Sequence, residues 1–275
     1  MSALANRLPA LPGFNFLRVI FDRRSLIAQM VRRDFTTRFV GSAGGWLWTI
    51  IHPLVLLFSW VFVYQYCLRV KMPEGAGDNY TLYLFCGYLP WLLFQDTVQR
   101  SAGCLLDQAN LITKTVFPSE IIPVSILLSS LLNHALAVAV AAVMIRAISG
   151  QFSLFILVLP VFTALLALFA IGVSWIVSSL QVFLRDTAQL TIVLLTGWFW
   201  LTPIFIDEKQ FPENTRFLVH YNPLASIVRG YRQILLGAEL PAPADLLFPF
   251  AVSLAAFVAG GFFFRHLKRG FADVL

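Results

Sequence analysis

Asp96 and Arg100 stand four residues apart in an otherwise apolar stretch, flanked by Gln95 and Gln99. On a helix this spacing sets a carboxylate beside a guanidinium. Charges at membrane depth are costly unless paired, so the two mark either a structural ion pair or a gate on a solute path. Asp34 and Arg38 repeat the spacing nearer the N-terminus and are expected to pair with each other or with another helix. The groups that would carry covalent or hydrolytic chemistry do not assemble. None of the four lysines completes a G-x-x-x-x-G-K-[ST] phosphate loop. His52, His134, His220 and His266 are scattered, with no H-E-x-x-H and no carboxylate dyad. Cys67, Cys86 and Cys104 are odd in number without metal-ligand spacing, and read as small apolar residues. The chain therefore nominates no catalytic group, metal or cofactor of its own, and energy for active transport would come from an ion gradient or another polypeptide.

The elements that must position these groups are membrane helices. Trp46 to Leu68, Ile121 to Ile148, Phe152 to Leu180 and Leu246 to Phe264 are apolar and long enough to cross a ~30 Å hydrocarbon core. Tyr80 to Leu106 and Thr187 to Ile206 are apolar but interrupted, which brings the expected count to six spans, approximately 46–68, 80–106, 121–148, 152–180, 187–206 and 246–264. A hydrophobic share of 59% with 12% charged residues leaves too little polar surface for a soluble globule, so the fold class is all-α integral membrane. Residues 1–21 hold Pro9 and Pro12 and no apolar core, and a cleaved signal peptide is not expected.

With six spans both termini share a side. Thirteen Lys and Arg residues fall on that side against seven opposite, which places the termini in the cytoplasm by the positive-inside rule. The net charge of +6 then suits anionic lipid headgroups, and nucleic acid is a poor fit because the basic residues flank spans.

Three segments are neither span nor plain loop. Over 22–45, Leu26, Ile27, Met30, Val31, Phe35 and Phe39 recur with helical period, opposite Ser25, Gln29, Arg32, Arg33 and Thr36. This predicts an amphipathic helix lying on the cytoplasmic membrane surface, followed by a glycine hinge. Its basic residues, Arg24, Arg32, Arg33 and Arg38 with Asp34 among them, suit an anionic lipid-linked group or a partner subunit. The segment 105–120 is too polar to span and too apolar for a free loop, and predicts a short cytoplasmic helix in need of a covering partner, with Ser119 as cap of the next helix. On the outer side, 213–237 predicts two short helices, the second begun by Asn222 and Pro223 and ended by Gly237. Among the many aromatics, Trp48, Trp91 and Phe94 are expected to face an internal path, and Trp198 and most others to form interfacial belts.

Three blocks carry a resemblance: R-R-D-F-T-T-R-F-V-G-S-A-G-G-W-L-W-T-I-I-H-P at 32–53, N-L-I-T-K-T-V-F-P-S-E-I-I-P at 110–123, and N-P-L-A-S-I-V-R-G-Y-R at 222–232. With the order of spans they resemble the membrane subunits of ABC-2 type exporters, specifically O-antigen polysaccharide permeases of the Wzm kind. The resemblance implies a homodimer with two copies of a separate ABC ATPase, ATP and Mg on that partner, and export of a polysaccharide built on a polyprenyl pyrophosphate lipid across the bacterial inner membrane. It implies ATPase coupling by Asn110, Leu111, Lys114, Phe117, Pro118 and Glu120. Trp48, Tyr83, Tyr88, Trp91 and Phe94 are the expected path aromatics. Asp96 and Arg100 are the expected gate pair, and Asn222, Pro223, Arg229, Tyr231 and Arg232 the outer gate. The residues beyond the last span, 265–275, are expected as a cytoplasmic tail. Teichoic acid or capsule exporters share the architecture. An ion-coupled carrier would need a further titratable relay and a membrane glycosyltransferase a carboxylate site, and neither is evident.

Overall fold

The computed structural model describes residues 22–39, 44–70, 79–115, 117–150, 154–237 and 240–275, apart from the side chains of Phe35, Arg38, Phe39 and Trp46. The segment 1–21, Gly41 at the start of the expected hinge and the proposed Asp34–Arg38 pairing lie outside them. Every regular element among the described residues is helical. Helix α1 is Arg24–Phe39, α2 Trp48–Val61, α3 Tyr80–Asp107, α4 Ala109–Lys114, α5 Ile121–Ser149, α6 Leu159–Phe183, α7 Thr187–Leu201, α8 Arg216–His220, α9 Pro223–Arg232, α10 Pro243–Leu267 and α11 Phe271–Val274. Wider π-type turns, Phe62–Cys67 and Gln233–Gly237, prolong α2 and α9.

Among the described residues four stretches are long and apolar enough to cross a membrane: Trp48–Cys67, Ile121–Ser149, Leu154–Phe183 and Pro243–Val274. The chain is a multi-pass membrane protein. Helix α3 has the length, 28 residues, but carries Asp96, Arg100 and Asp107. It is tolerated because it is the central helix, packed by α5, α6, α7 and α9 and buried along most of its course. The expected fifth span, 187–206, is helical only to Leu201. At 1.5 Å per residue α7 is roughly 22 Å long, short of the ~30 Å core. The cause is Pro203: the residue before a proline is pushed out of the α region, and Thr202 is extended at φ −94°, ψ 130°.

Local chemistry sets several other ends. Asn79 caps α3, its side-chain oxygen accepting the Leu82 N–H at 3.3 Å. Gly150 stops α5 in the left-handed region, φ +68°, where glycine carries no Cβ penalty. Glycine also makes the tightest crossing: Gly172 of α6 lies against the backbone of Ala256 and of Gly260 in α10, where any Cβ would collide. Such small-residue contacts let helices approach in a medium that offers no hydrophobic drive between them.

Helix α1 does not present its apolar side to lipid alone. It packs on α5, with Ile27 buried and Leu26, Met30 and Val31 against the core. The expected tail 265–275 is folded too: Phe271 is buried between Phe264 and Phe183, and α11 touches α4. By contrast α2 is largely uncovered, and Trp48, Ile51, Val55, Phe58 and Phe62 form one exposed apolar stripe along it.

Candidate functional site

A cluster of charge ties α1, α3 and α5 together. The Arg100 guanidinium donates to Asp34 at 2.5 Å and more distantly to Asp96 at 3.5 Å, while Asp96 accepts the Ser130 hydroxyl at 2.6 Å. The i, i+4 neighbour expected as Arg100's partner is thus its weaker one. The stronger comes from the interface helix, 66 positions away in sequence. A charge-assisted hydrogen bond of that length is stronger than a neutral one, and each group is about one quarter exposed.

Beside this cluster a half-open cavity of about 370 Å³ lies between α2, α3 and α5, with Trp48, Tyr88, Gln95, Asp96, Gln99 and Asn133 among its walls. His134, also in its wall, joins a buried chain: its Nε2 is 2.9 Å from the Tyr231 hydroxyl, itself 2.7 Å from the Thr163 hydroxyl. One polar chain therefore links α5, α9 and α6. Sequence reading missed Ser130, Asn133 and His134, because helical position alone does not show which polar residue faces which neighbour.

The aromatics separate into two groups. Trp48, 55% exposed, and Tyr88 line the cavity. Trp91 and Phe94, expected to face a path, are instead fully buried inside the protomer: the Trp91 indole N–H donates to Gln95 at 2.6 Å, and Phe94 stacks on Phe169 and meets Trp198 edge-on. Trp198 is correspondingly no belt residue. It is packed on the core, and its indole N–H donates to Asn222 at 3.0 Å. Ring size and spacing could not tell a core-facing aromatic from a path-facing one, since both avoid lipid.

The second short helix, expected on the outer side, sits inside the protein. The Asn222 side chain accepts the Leu224 N–H at 3.0 Å and Pro223 takes the first helical position, while Leu224, Ile227 and Tyr231 are buried against α3, α6 and α10. Arg229 donates to both Glu208 oxygens, at 2.9 and 2.7 Å. Arg232 lies over the Tyr83 ring, 3.6 Å from its centroid, and donates to the Tyr83 hydroxyl and to the carbonyls of Pro203 and Ile204 at 2.6 to 2.8 Å. Those carbonyls lie in the unwound segment after α7, so Arg232 satisfies backbone that no helix serves. Gly87 makes room for it, since a Cβ there would meet the guanidinium at 2.5 Å.

At the other end α4 exposes Asn110 and Lys114, with Leu111 and Ile112 half-covered. Phe117 packs against the core. Glu120 is engaged internally: its carboxylate pairs with Lys268, and its carbonyl accepts the Trp175 indole N–H at 3.2 Å. Ser119 does not cap α5. Its hydroxyl is buried without a hydrogen-bond partner among the described residues, and Glu120 holds the cap position with no side-chain bond. Arg24, Arg32 and Arg33 are exposed on α1. Among the described residues no three His, Cys, Asp or Glu side chains group as a metal site.

Membrane helices arranged around a cavity of mixed polar and apolar walls, with an exposed short helix at one end and a buried short helix at the other, are the parts of a transporter. Residues 25–236 match the family described as ABC-2 type transporter, and the chain belongs to that family. It is 26% identical over 259 residues to the O-antigen export system permease protein RfbA of Myxococcus xanthus, covering 94% of this chain and 98% of that protein. It is 28% identical over 260 residues to the protein of the same name from Klebsiella pneumoniae, covering 94% and 97%. The polysialic acid transport protein KpsM of Escherichia coli is 22% identical over 207 residues, covering 74% of this chain and 78% of that protein.

Proposed function

We propose that this chain is the membrane channel subunit of an ATP-driven exporter that carries a polyprenyl-pyrophosphate-linked polysaccharide, an O-antigen, from cytoplasm to periplasm. The observation that carries this reading is similarity to O-antigen permeases over nearly the whole length of both proteins. Two copies of the chain work with two copies of an ABC ATPase, which binds ATP and Mg, while this chain binds no cofactor. The complex sits in the bacterial inner membrane with both termini cytoplasmic, a placement supported by the basic excess on the terminal side. The exposed apolar stripe on α2 suits a second copy of the chain or lipid.

In this reading the ATPase bears on the exposed Asn110 and Lys114 of α4. Glu120, held by Lys268 and Trp175, makes the following turn a stiff lever on α5. The Asp34–Arg100 bond carries displacement of the interface helix into α3. Arg24, Arg32 and Arg33 attract the pyrophosphate by charge, and the Arg229 and Arg232 anchors hold the outer half-helix as a gate. Capsule export is the second reading, supported by the shorter similarity to KpsM. Deleting the gene and examining surface glycans tests the choice: loss of O-antigen supports the first reading, loss of capsule with O-antigen intact the second.

A further inference from the structure

We propose that a groove between α5 and α6 holds one acyl chain of a membrane phospholipid whose phosphate is bound by Arg146. The groove has a volume of about 480 Å³ and is hollowed by the small side chains of Ala135, Ala164 and Ala167. Both helices belong to stretches that can cross a membrane, and Ala135 and Ala164 are exposed, so the groove opens to hydrocarbon. Its polar wall residues, His134 and Thr163, turn their polar atoms inward. The Thr163 hydroxyl lies 3.1 Å from the Leu159 carbonyl and 2.7 Å from the Tyr231 hydroxyl. His134 meets the same hydroxyl through Nε2, and its Nδ1 is buried. The side chains therefore offer an occupant carbon alone, and a sugar or a headgroup has no use for it. Water does not wet so apolar a hollow, and an empty one forfeits dispersion contacts along its walls. In a bilayer a hydrocarbon chain fills it.

Arg146 selects which chain. It stands eleven residues beyond Ala135, about three helical turns and roughly 16 Å, so the two share one face of α5. That rise matches the hydrocarbon depth of one leaflet, about 15 Å or half of the ~30 Å core. A chain that reaches Ala135 at mid-membrane thus has its headgroup level with Arg146. The Arg146 side chain is exposed in the last turn of α5 and gives one N–H to the Gly150 carbonyl at 3.1 Å. None of the ion pairs among the described residues includes it. A lipid phosphate supplies the missing counter-charge and suits the guanidinium fork. The chain then lies against His134 and Thr163, the two residues that hold Tyr231 of α9. The proposal needs only membrane-spanning α5 and α6 and is independent of the export reading.

The test places the full chain in phosphatidylcholine nanodiscs that contain a minor share of phosphatidylglycerol with a diazirine at the end of one acyl chain, and maps cross-links by mass spectrometry after illumination. The expected result is labelling of 131–138 and 160–167 several-fold above that at Leu190, Val193 and Leu194, which are exposed on α7. Unlabelled phosphatidylglycerol should suppress the groove labelling and spare α7. Arg146→Gln should lower groove labelling by about fivefold, the effect of one basic residue on an anionic headgroup, at an unchanged unfolding temperature. Ala164→Trp, which fills the groove from an exposed position, should abolish it. Equal labelling of groove and α7, or unchanged groove labelling in either variant, overturns the proposal. Displacement of the photolipid by a polyprenyl pyrophosphate and not by phosphatidylglycerol overturns it too, since the groove would then belong to the transported lipid.

Discussion

The Asp34 carboxylate and the Arg100 guanidinium meet at 2.5 Å and bond the interface helix to the central helix. The bond joins α1 to α3, while Asp96 takes the Ser130 hydroxyl and the more distant arm of Arg100. Asp34→Ala should slow export by about tenfold or more and destabilise the protein by about 1–3 kcal/mol, the cost of a half-buried charge that loses its partner. The exchange Asp34→Arg with Arg100→Asp should recover part of both. Export assays and thermal unfolding of the four variants in a double-mutant cycle check this, and additive effects would show that the two residues act independently.

Arg232 serves backbone carbonyls and a tyrosine, with no carboxylate among its hydrogen-bond partners in the described residues. Arg232→Lys keeps the charge but loses the planar fork. It should loosen the segment after Leu201 by about 1–3 kcal/mol, seen as faster hydrogen exchange at residues 202–206. Gly87→Ala should act on the same segment by displacing the guanidinium. Unchanged exchange in both variants would mean that the segment is held by other contacts.

Gly172 and Gly260 allow α6 and α10 to touch backbone to backbone. Replacing either with Leu should cost about 3 kcal/mol and reduce the protein recovered from membranes. The same change at Gly197, where a Cβ meets nothing within 4 Å, should be tolerated. Equal yields from all three variants would contradict the close crossing.

Near α4, Lys114 and Glu120 should respond differently to charge reversal. Lys114→Glu, on an exposed helix, should weaken capture of the ATPase by about 2 kcal/mol, as an interface anchor does, without lowering the permease's unfolding temperature. Glu120→Lys should lower that temperature because it opposes Lys268. Co-purification paired with thermal unfolding reads the two effects separately, and identical behaviour would remove the distinction between docking face and internal anchor.

How much of this was legible in the sequence depended on range. The Asn222–Pro223 start of α9 and the i, i+4 spacing of Asp96 and Arg100 are local signals, and the structure contains both. The claim of Asp34 on Arg100 is not local, since no periodicity on one helix reports a partner on another. Thr187–Ile206 read as a span because apolar content carries on through Phe205, yet Pro203 ends the helix. Trp91 and Phe94 carried the same composition as path residues, and only packing, of Trp91 against Phe199 and of Phe94 against Phe169 and Trp198, assigns them to the core. The folded C-terminus was hidden for the same reason: Phe271 is buried against Phe183, a partner far away in sequence.

The most direct test of the export mechanism is reconstitution of the purified chain with its cognate ABC ATPase in proteoliposomes supplied with the polyprenyl-pyrophosphate-linked glycan. The expected result is ATP-dependent appearance of glycan across the bilayer that requires both subunits, with no ATP hydrolysis by this chain alone. Movement of glycan by this chain under an ion gradient without the ATPase, or ATP hydrolysis by the chain in isolation, would contradict it.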